Sequence, residues 1–368
     1  MKINKIKLSG FKSIADVELN DLTPFSVFAG ANGAGKSNFF DALKFLSTVV
    51  KFGAIHALRR FNGYGNVHCF KHRGKKAKMF AASLHFDLDG KAIQYDLESH
   101  NMNDAPRLLE QLLLDGETVF HQKYGVIEVW DWDSIHMETR PELSMLSMYP
   151  DPDMALWSFI SNIELYRFDP LGAKEPDSSS ANTTELNSHG HNIATMLSVL
   201  EKDAEIREQI IEWMELLVPS LETVSTERSR FDSTTLMKFK EAGVKKQFPV
   251  HLISDGTIYA LCIMVAVLSR CKQPGMTLIE EPERGIHPQA IAELVSLMRE
   301  NANPNHAIFV TTHSESVVRH SKPEELWLVN KIDGKTEFKN AGKKFSNLGD
   351  LSLDKAWLMN FFGGGLPW

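Results

Sequence analysis

Residues 30–37 read Gly-Ala-Asn-Gly-Ala-Gly-Lys-Ser, a match to G-x-x-x-x-G-K-[ST]. No other stretch limits the fold of the chain as tightly. Before it, Phe25 to Ala29 is a short apolar run that stops at glycine. After it, Phe39, Ala42, Leu43 and Leu46 recur at i, i+3, i+4 and i+7, one face of a helix. Residues 25–50 therefore read strand, glycine loop, helix. Glycines let successive backbone N–H groups curl round an anion without Cβ clashes. A helix beginning near Gly35 turns its positive end to the same anion. Lys36 adds a point charge for β- and γ-phosphates, and the Ser37 hydroxyl can ligate Mg²⁺. The pattern assigns Gly30, Asn32, Gly33, Ala34, Gly35, Lys36, Ser37 and Asn38 to nucleotide binding.

The remainder of the chain reads as an α/β protein. Ile3, Ile6 and Leu8, then Val17 and Leu19, alternate like strands. Leu84, Phe86 and Leu88 alternate on one side of Asp89-Gly90, and Ile93, Tyr95 and Leu97 on the other, which predicts a hairpin. Val119 to Trp130 predicts further strand, residues 100–115 and 191–217 predict helix, and the polar stretch 170–189 predicts a loop. Thr257 to Leu268 predicts a buried helix. Met276–Ile279, the periodic run at Ile291, Leu294, Val295 and Met298, and Ala307–Val310 predict a βαβ unit with parallel strands. At 368 residues and 43% hydrophobic content the chain has ample material for a core.

Three further segments carry chemistry. Thr277-Leu278-Ile279 runs into Glu280-Glu281-Pro282-Glu283. An acid at such a strand tip can hold Mg²⁺, and the next can deprotonate an attacking water. Ser254-Asp255-Gly256-Thr257 opens the buried helix, either as an ordinary cap or as a second phosphate receptor. Thr311-Thr312-His313-Ser314 follows a buried strand, where a histidine can donate to a γ-phosphate.

The order of these segments resembles the ABC-type ATPases of the SMC, RecF and OLD group, and in particular the prokaryotic AAA-type subgroup of OLD-like and anti-phage-defence ATPases. The run Gly30 to Asn38 is similar to the group's Walker A, Ile253 to Thr257 to its signature, Leu278 to Pro288 to its Walker B and D-loop, and Thr311 to Ser314 to its switch histidine. The opening Ile3 to Leu19 is similar to its first strands; Tyr166 to Pro170, Gly190 to Ile193 and the tail from Leu348 to Gly365 are similar to stretches of the subgroup. The resemblance implies a P-loop NTPase fold with a mixed central sheet, a β-rich subdomain and a helical insertion. Its lobes would be 1–140, with Walker A, and 246–368, with signature, Walker B and switch histidine, around a helical and loop insertion at 141–245. It implies two heads packed head to tail around two ATP molecules. Lys36 and Ser37 would bind phosphate and Mg²⁺, Glu280 would help hold the metal, Glu281 would be the base and His313 would sense γ-phosphate. Ser254, Asp255, Gly256 and Thr257 would face the partner's nucleotide. Glu280 stands where ABC ATPases usually carry Asp, and the segment at Ser254 replaces a transporter-like Ser-Gly-Gly. For the Q-loop glutamine, Gln94 and Gln111 qualify by type, and Asn66 to Arg73 is the alternative segment.

Charge and composition narrow the partners. The net charge is −7, so a nucleic-acid site must be a local patch. The densest basic run holds Lys71, Arg73, Lys75, Lys76 and Lys78 and is the expected DNA contact, against the plainer reading of a solvated loop. Asp131-Trp132-Asp133 and Asp151-Pro152-Asp153 read as surface acids, and His189-Gly190-His191 is too sparse for zinc. The three cysteines show no metal spacing. That usage, with no signal-like or membrane-length apolar run, predicts a cytoplasmic protein. The residues after His313 leave no room for a fused TOPRIM nuclease, so a nuclease or toxin effector is expected as a separate chain. The expected function is a dimeric, Mg²⁺-dependent ATPase that senses or processes DNA in defence or repair. The alternative is an ATP-switched scaffold that holds and releases an effector with little turnover.

Overall fold

All five residues of strand β3 (Phe25–Ala29) are buried, because both faces of the sheet it occupies are covered. The computed structural model describes residues 1–129, 135–148, 155–180, 183–229, 233–342 and 351–363. The acidic pairs at 131–133 and 151–153, and residues 343–350 and 364–368 of the tail, lie outside the described residues.

The sheet holding β3 has the order β10-β14-β15-β3-β16-β17, formed by β10 (Ile163–Tyr166), β14 (Gly275–Glu280), β15 (His306–Thr312), β16 (Leu326–Ile332) and β17 (Lys335–Asn340). Strands β10, β14, β15, β3 and β16 are parallel, and β17 closes one edge antiparallel. Alternate side chains leave the sheet on opposite faces. Phe28, Leu278, Phe309 and Trp327 join a core with helix α1 (Lys36–Phe52), while Val27, Ile279, Val310 and Leu328 join a second core. That second core contains α8 (Asp255–Leu268), whose residues from Thr257 onward are all buried, and α9 (Pro288–Asn301). The expected βαβ unit is β14-α9-β15, with its strands paired in parallel.

An eight-stranded antiparallel sheet lies on the α1 side, in the order β2-β1-β4-β5-β6-β7-β8-β9, with β9 (Ile135–Glu138) at its far edge. It begins with β1 (Lys2–Phe11) and β2 (Ile14–Asn20). The expected hairpin joins β4 (Phe80–Leu88) to β5 (Lys91–His100) through Asp89 and Gly90, both at positive φ, as a two-residue turn of matched twist requires. The strand expected from Val119 onward is β7 (Glu117–Lys123) followed by β8 (Val126–Val129).

The helix expected over 100–115 is not there. Residues Arg107–Leu114 form strand β6, paired on both sides with β5 and β7. The inward positions are Leu108, Glu110 and Leu112. Glu110 is fully buried and accepts from the Tyr95 hydroxyl at 2.6 Å, from the Ser144 hydroxyl and from two backbone N–H groups. A charged residue at an inward position hid the period of two. The stretch 141–245 contains α4 (Ala155–Ser161), α6 (Ile193–Leu200) and α7 (Ala204–Leu217), but it also supplies strand. Strand β10 is an edge of the central sheet, and β11 (Leu221–Arg228) and β12 (Thr235–Glu241) belong to a small separate sheet. Among the described residues of 170–189 the loop is broken only by the one-turn helix α5 (Pro170–Ala173). Among the described residues no helix is long and apolar enough to cross a membrane, and the cysteines are free.

Candidate functional site

The glycine loop sits between the end of β3 and the start of α1. Gly33 and Gly35 adopt φ of 78° and 106°, which side chains with Cβ rarely accept. At Gly35 a Cβ would also lie 1.9 Å from the Thr336 hydroxyl, so β17 packs directly on the loop. Lys36 is buried, and its ammonium donates to the carbonyls of Gly30 at 2.7 Å and Ala31 at 3.0 Å. Burial pulls its pKa below the usual lysine value, opposed by Glu281, Glu283 and Glu280.

A cleft of about 220 Å³ opens over this loop, lined by Asn32, Gly33, Gly35, Lys36, Ser37, Asn38, Glu281, Thr311 and Lys331. Of the sequence-assigned residues, the loop, Ser37 and Glu281 are therefore brought together. Glu281 follows β14 at φ 51°, and its N–H donates to Thr311 at 2.9 Å. The imidazole Nδ1 of His313 is 3.4 Å from Glu281 Oε1. Parallel pairing of β14 with β15 puts the acid and the histidine at neighbouring strand ends.

Glu280 turns elsewhere. Its Oε1 accepts from Arg167 Nη2 at 2.8 Å, and the same nitrogen donates to Asp41 Oδ1 at 2.7 Å. Asp41 Oδ2 in turn accepts from Lys12 at 2.6 Å. The carboxylates hold the Arg167 guanidinium firmly charged against its burial. This chain ties the turn after β1, helix α1, the end of β10 and the acidic strand tip together.

Sequence reading assigned no role to Glu283, yet it is the most enclosed acid of the group. Its Oε1 accepts from the Thr312 hydroxyl at 2.6 Å and from the His313 N–H at 3.4 Å, while Oε2 is buried without a partner. Desolvation raises its pKa above the usual carboxylate range. The signal available was its place one residue beyond the Glu280-Glu281-Pro282 turn. Phe70 was missed as well. It is 72% exposed and lines an adjoining cleft with Lys12, Ser13, Asn38 and Lys331.

Ser254 to Thr257 is not brought to the glycine loop. Ser254 caps α8, accepting from the Thr257 N–H at 3.1 Å, and Ser254 and Asp255 are exposed. Lys174 donates to the Ile253 carbonyl and to Asp255. Gly256 lies against the turn after Glu283, where an added Cβ would come within 2.0 Å of the Gly285 carbonyl. Gln94 and Gln111 bond within the antiparallel sheet, to Asp96 and Thr118, away from the cleft. Asn66, from the alternative segment, lines the cleft next to it. The basic run Lys71, Arg73, Lys75, Lys76 and Lys78 is exposed, with the one-turn helix α3 (Gly74–Ala77) in its middle.

The residues fit a nucleotide triphosphate with Mg²⁺. A positive-φ glycine cradle, a helix N-terminus and a lysine now spent on its own loop carbonyls together form an anion receptor. Among the described residues no cluster of three or more His, Cys, Asp or Glu side chains is arranged to hold a metal.

Sheet order, glycine loop and acidic strand tip define an ABC-type P-loop ATPase of the SMC and RecF group. The chain belongs to the family described as "AAA domain, putative AbiEii toxin, Type IV TA system", whose profile matches residues 25–319. It is 30% identical over 120 residues to the chromosome partition protein Smc of Methanocaldococcus jannaschii, covering 32% of this chain and 9% of that protein. It is 38% identical over 52 residues to the DNA replication and repair protein RecF of Citrifermentans bemidjiense, covering 14% of each. The chain thus spans only a small share of either relative. In fold it is similar to an Smc head bound to the C-terminal winged-helix domain of ScpA, with a TM-score of 0.60 at 16% identity, covering 97% of this chain and 100% of that one. A Pyrococcus furiosus Smc head with an extended coiled coil, bound to the C-terminal domain of ScpA, gives 0.50 at 16% identity, covering 98% and 99%.

Proposed function

We propose that the protein is a cytoplasmic, Mg²⁺-dependent ATPase that closes into a head-to-tail dimer on ATP and opens on hydrolysis. The observation that carries the reading is Glu281. It faces the glycine-loop cleft with Lys36 and Ser37 and has His313 at its back. The Gly33–Ser37 backbone and Lys36 hold the β- and γ-phosphates, and Phe70 stacks on the base in the adjoining cleft. Ser37 lines the cleft and would hold Mg²⁺, whereas Glu280 is bound by Arg167 and does not line it; the metal, when bound, would neutralise phosphate charge and align the γ-phosphate. Glu281 takes the proton of the attacking water. His313, oriented by Glu283 and Thr312, donates to γ-phosphate oxygen. The helix start at Ser254–Thr257, which exposes Ser254 and Asp255 and stands apart from its own cleft, serves the partner's nucleotide.

DNA is the proposed trigger, through Lys71, Arg73, Lys75, Lys76 and Lys78, in a defence or repair system with a separate nuclease or toxin effector. Steady-state ATP turnover with and without duplex DNA tests this. Glu281→Gln is expected to lower turnover by about 10²- to 10⁴-fold while ATP still binds and drives dimer formation in size-exclusion chromatography. Normal turnover in that variant refutes the assignment of the base. Lys36→Ala is expected to lose ATP binding.

A further inference from the structure

From residue 42 to residue 86 the chain contains no aspartate or glutamate, and from Lys51 to Lys78 it carries eight lysines and arginines, in a protein of net charge −7. This stretch follows the glycine loop directly and folds as the end of α1, helix α2 (Ala54–Arg60) and the segment leading to β4. The first part of it borders a cavity of about 760 Å³, outside the nucleotide cleft. Lys51, Phe52, Arg60, Phe61 and Asn62 form one wall.

The charges within the cavity are unequal in availability. Asp41 is bound by Lys12 and Arg167, and Glu164 is bound by Lys44 at 2.6 Å. Glu185 lies on the facing side with His189. Among the described residues Lys51, Arg59 and Arg60 form no ion pair. Their charge is therefore free for an outside partner. Phe52 is 46% exposed beside them, with the Lys51 ammonium 5.6 Å from its ring centre. Asn66 and Lys12 line both this cavity and the cleft of Phe70, so the two hollows adjoin.

We propose that this basin binds single-stranded nucleic acid. Phosphodiesters rest on Lys51 and Arg60, a base stacks on Phe52, and the strand continues toward the 71–78 run. A concave cationic hollow with an exposed ring suits a strand with splayed bases. The exposed ring beside the cations offers a stacking surface to unpaired bases, which a duplex keeps inside its own stack. The inference rests on the nucleic-acid part of the proposed function, adding the form of the strand and a site that part does not use.

The experiment is fluorescence anisotropy of full-length protein with labelled oligothymidylate, oligouridylate and a blunt duplex of equal length, over a salt series. Either single strand is expected to bind more tightly than duplex, and the pair of oligonucleotides separates DNA from RNA. Lys51→Glu/Arg60→Glu is expected to weaken binding by about tenfold or more, and Phe52→Ala by about five- to a hundredfold. Both variants lie outside the nucleotide cleft, so unchanged basal ATP turnover shows that they fold. Preference for duplex, or wild-type affinity in the basin variants, overturns the inference. Loss of binding in Lys75→Glu/Lys76→Glu alone would leave the nucleic-acid reading standing without the basin. Absence of binding to all three probes removes both and leaves the ATPase reading intact.

Discussion

Glu281 and Glu283 are two residues apart and face opposite conditions. Glu281 lies on the cleft, where its charge can meet a water. Glu283 is sealed beneath it with one oxygen on Thr312 and the other unpartnered. The buried acid therefore acts through its neighbours, fixing the Thr312 hydroxyl and the His313 N–H. Glu283→Ala should lower kcat by about ten- to a hundredfold, the cost of misplacing a working group by a fraction of an ångström, with little change in KM for ATP. Glu283→Gln keeps an oxygen acceptor for Thr312 and should restore most of the loss. Equal defects in both variants would show that the charge, not the acceptor, is needed. Phe70 invites the complementary result: Phe70→Ala should raise KM for ATP several-fold and spare kcat, since stacking on a base holds ground state and transition state alike. The glycine loop and Glu281 were legible because their chemistry demands particular residue types at fixed spacing. Glu283 and Arg167 were not, since their roles depend on burial and on partners far away in the chain.

At the scale of elements, pattern succeeded where one face alone decides it and failed where a buried polar group interrupts the face. Helix α1 and the β14-α9-β15 unit carry clean apolar periods. Strand β6 does not, because Glu110 occupies an inward site and is satisfied by Tyr95 and Ser144. The first residue of β15 offers a measurable case of the same kind. His306 is fully buried; its Nδ1 is 2.8 Å from the Gln273 carbonyl and its Nε2 is 2.8 Å from the Thr277 hydroxyl. A carbonyl can only accept, so Nδ1 carries the proton and Nε2 accepts from Thr277. Desolvation pushes the pKa down to about 4. The folded state therefore binds fewer protons than the unfolded one between pH 6.5 and about 4. Stability is complete above pH 6.5 and falls as pH drops through that window, by about 2 kcal/mol at pH 5. Urea unfolding at pH 7 and pH 5 should show this loss in the wild type and a smaller one in His306→Gln. An equal pH dependence in both would place the titration elsewhere.

For the whole molecule, the decisive feature is a separation within one chain. The central sheet carries the glycine loop, Glu281 and His313 to one set of strand ends, whereas the Ser254–Thr257 helix start packs on the Gly285 turn and faces outward. The family resemblance implied this separation, since it sets Ser254–Thr257 against the partner's nucleotide; the packing of Gly256 on the Gly285 turn depends on tertiary contact and was not legible. If each site is completed by a second copy, a two-fold pair of chains holds two composite sites. A chain with Lys36→Ala and a chain with Ser254→Arg are each expected to be inactive alone. In a mixed dimer, one site joins both lesions and the other joins an intact glycine loop to an intact helix start. Random pairing of equal amounts leaves half of the dimers mixed with one of two sites working. The mixture should then recover about a quarter of wild-type turnover per chain. Recovery that falls on dilution below the dimer's dissociation range would establish sites shared between copies. Full activity in Ser254→Arg alone, with a monomer as the active species, would mean that the glycine-loop cleft works by itself and that the exposed helix start serves another ligand.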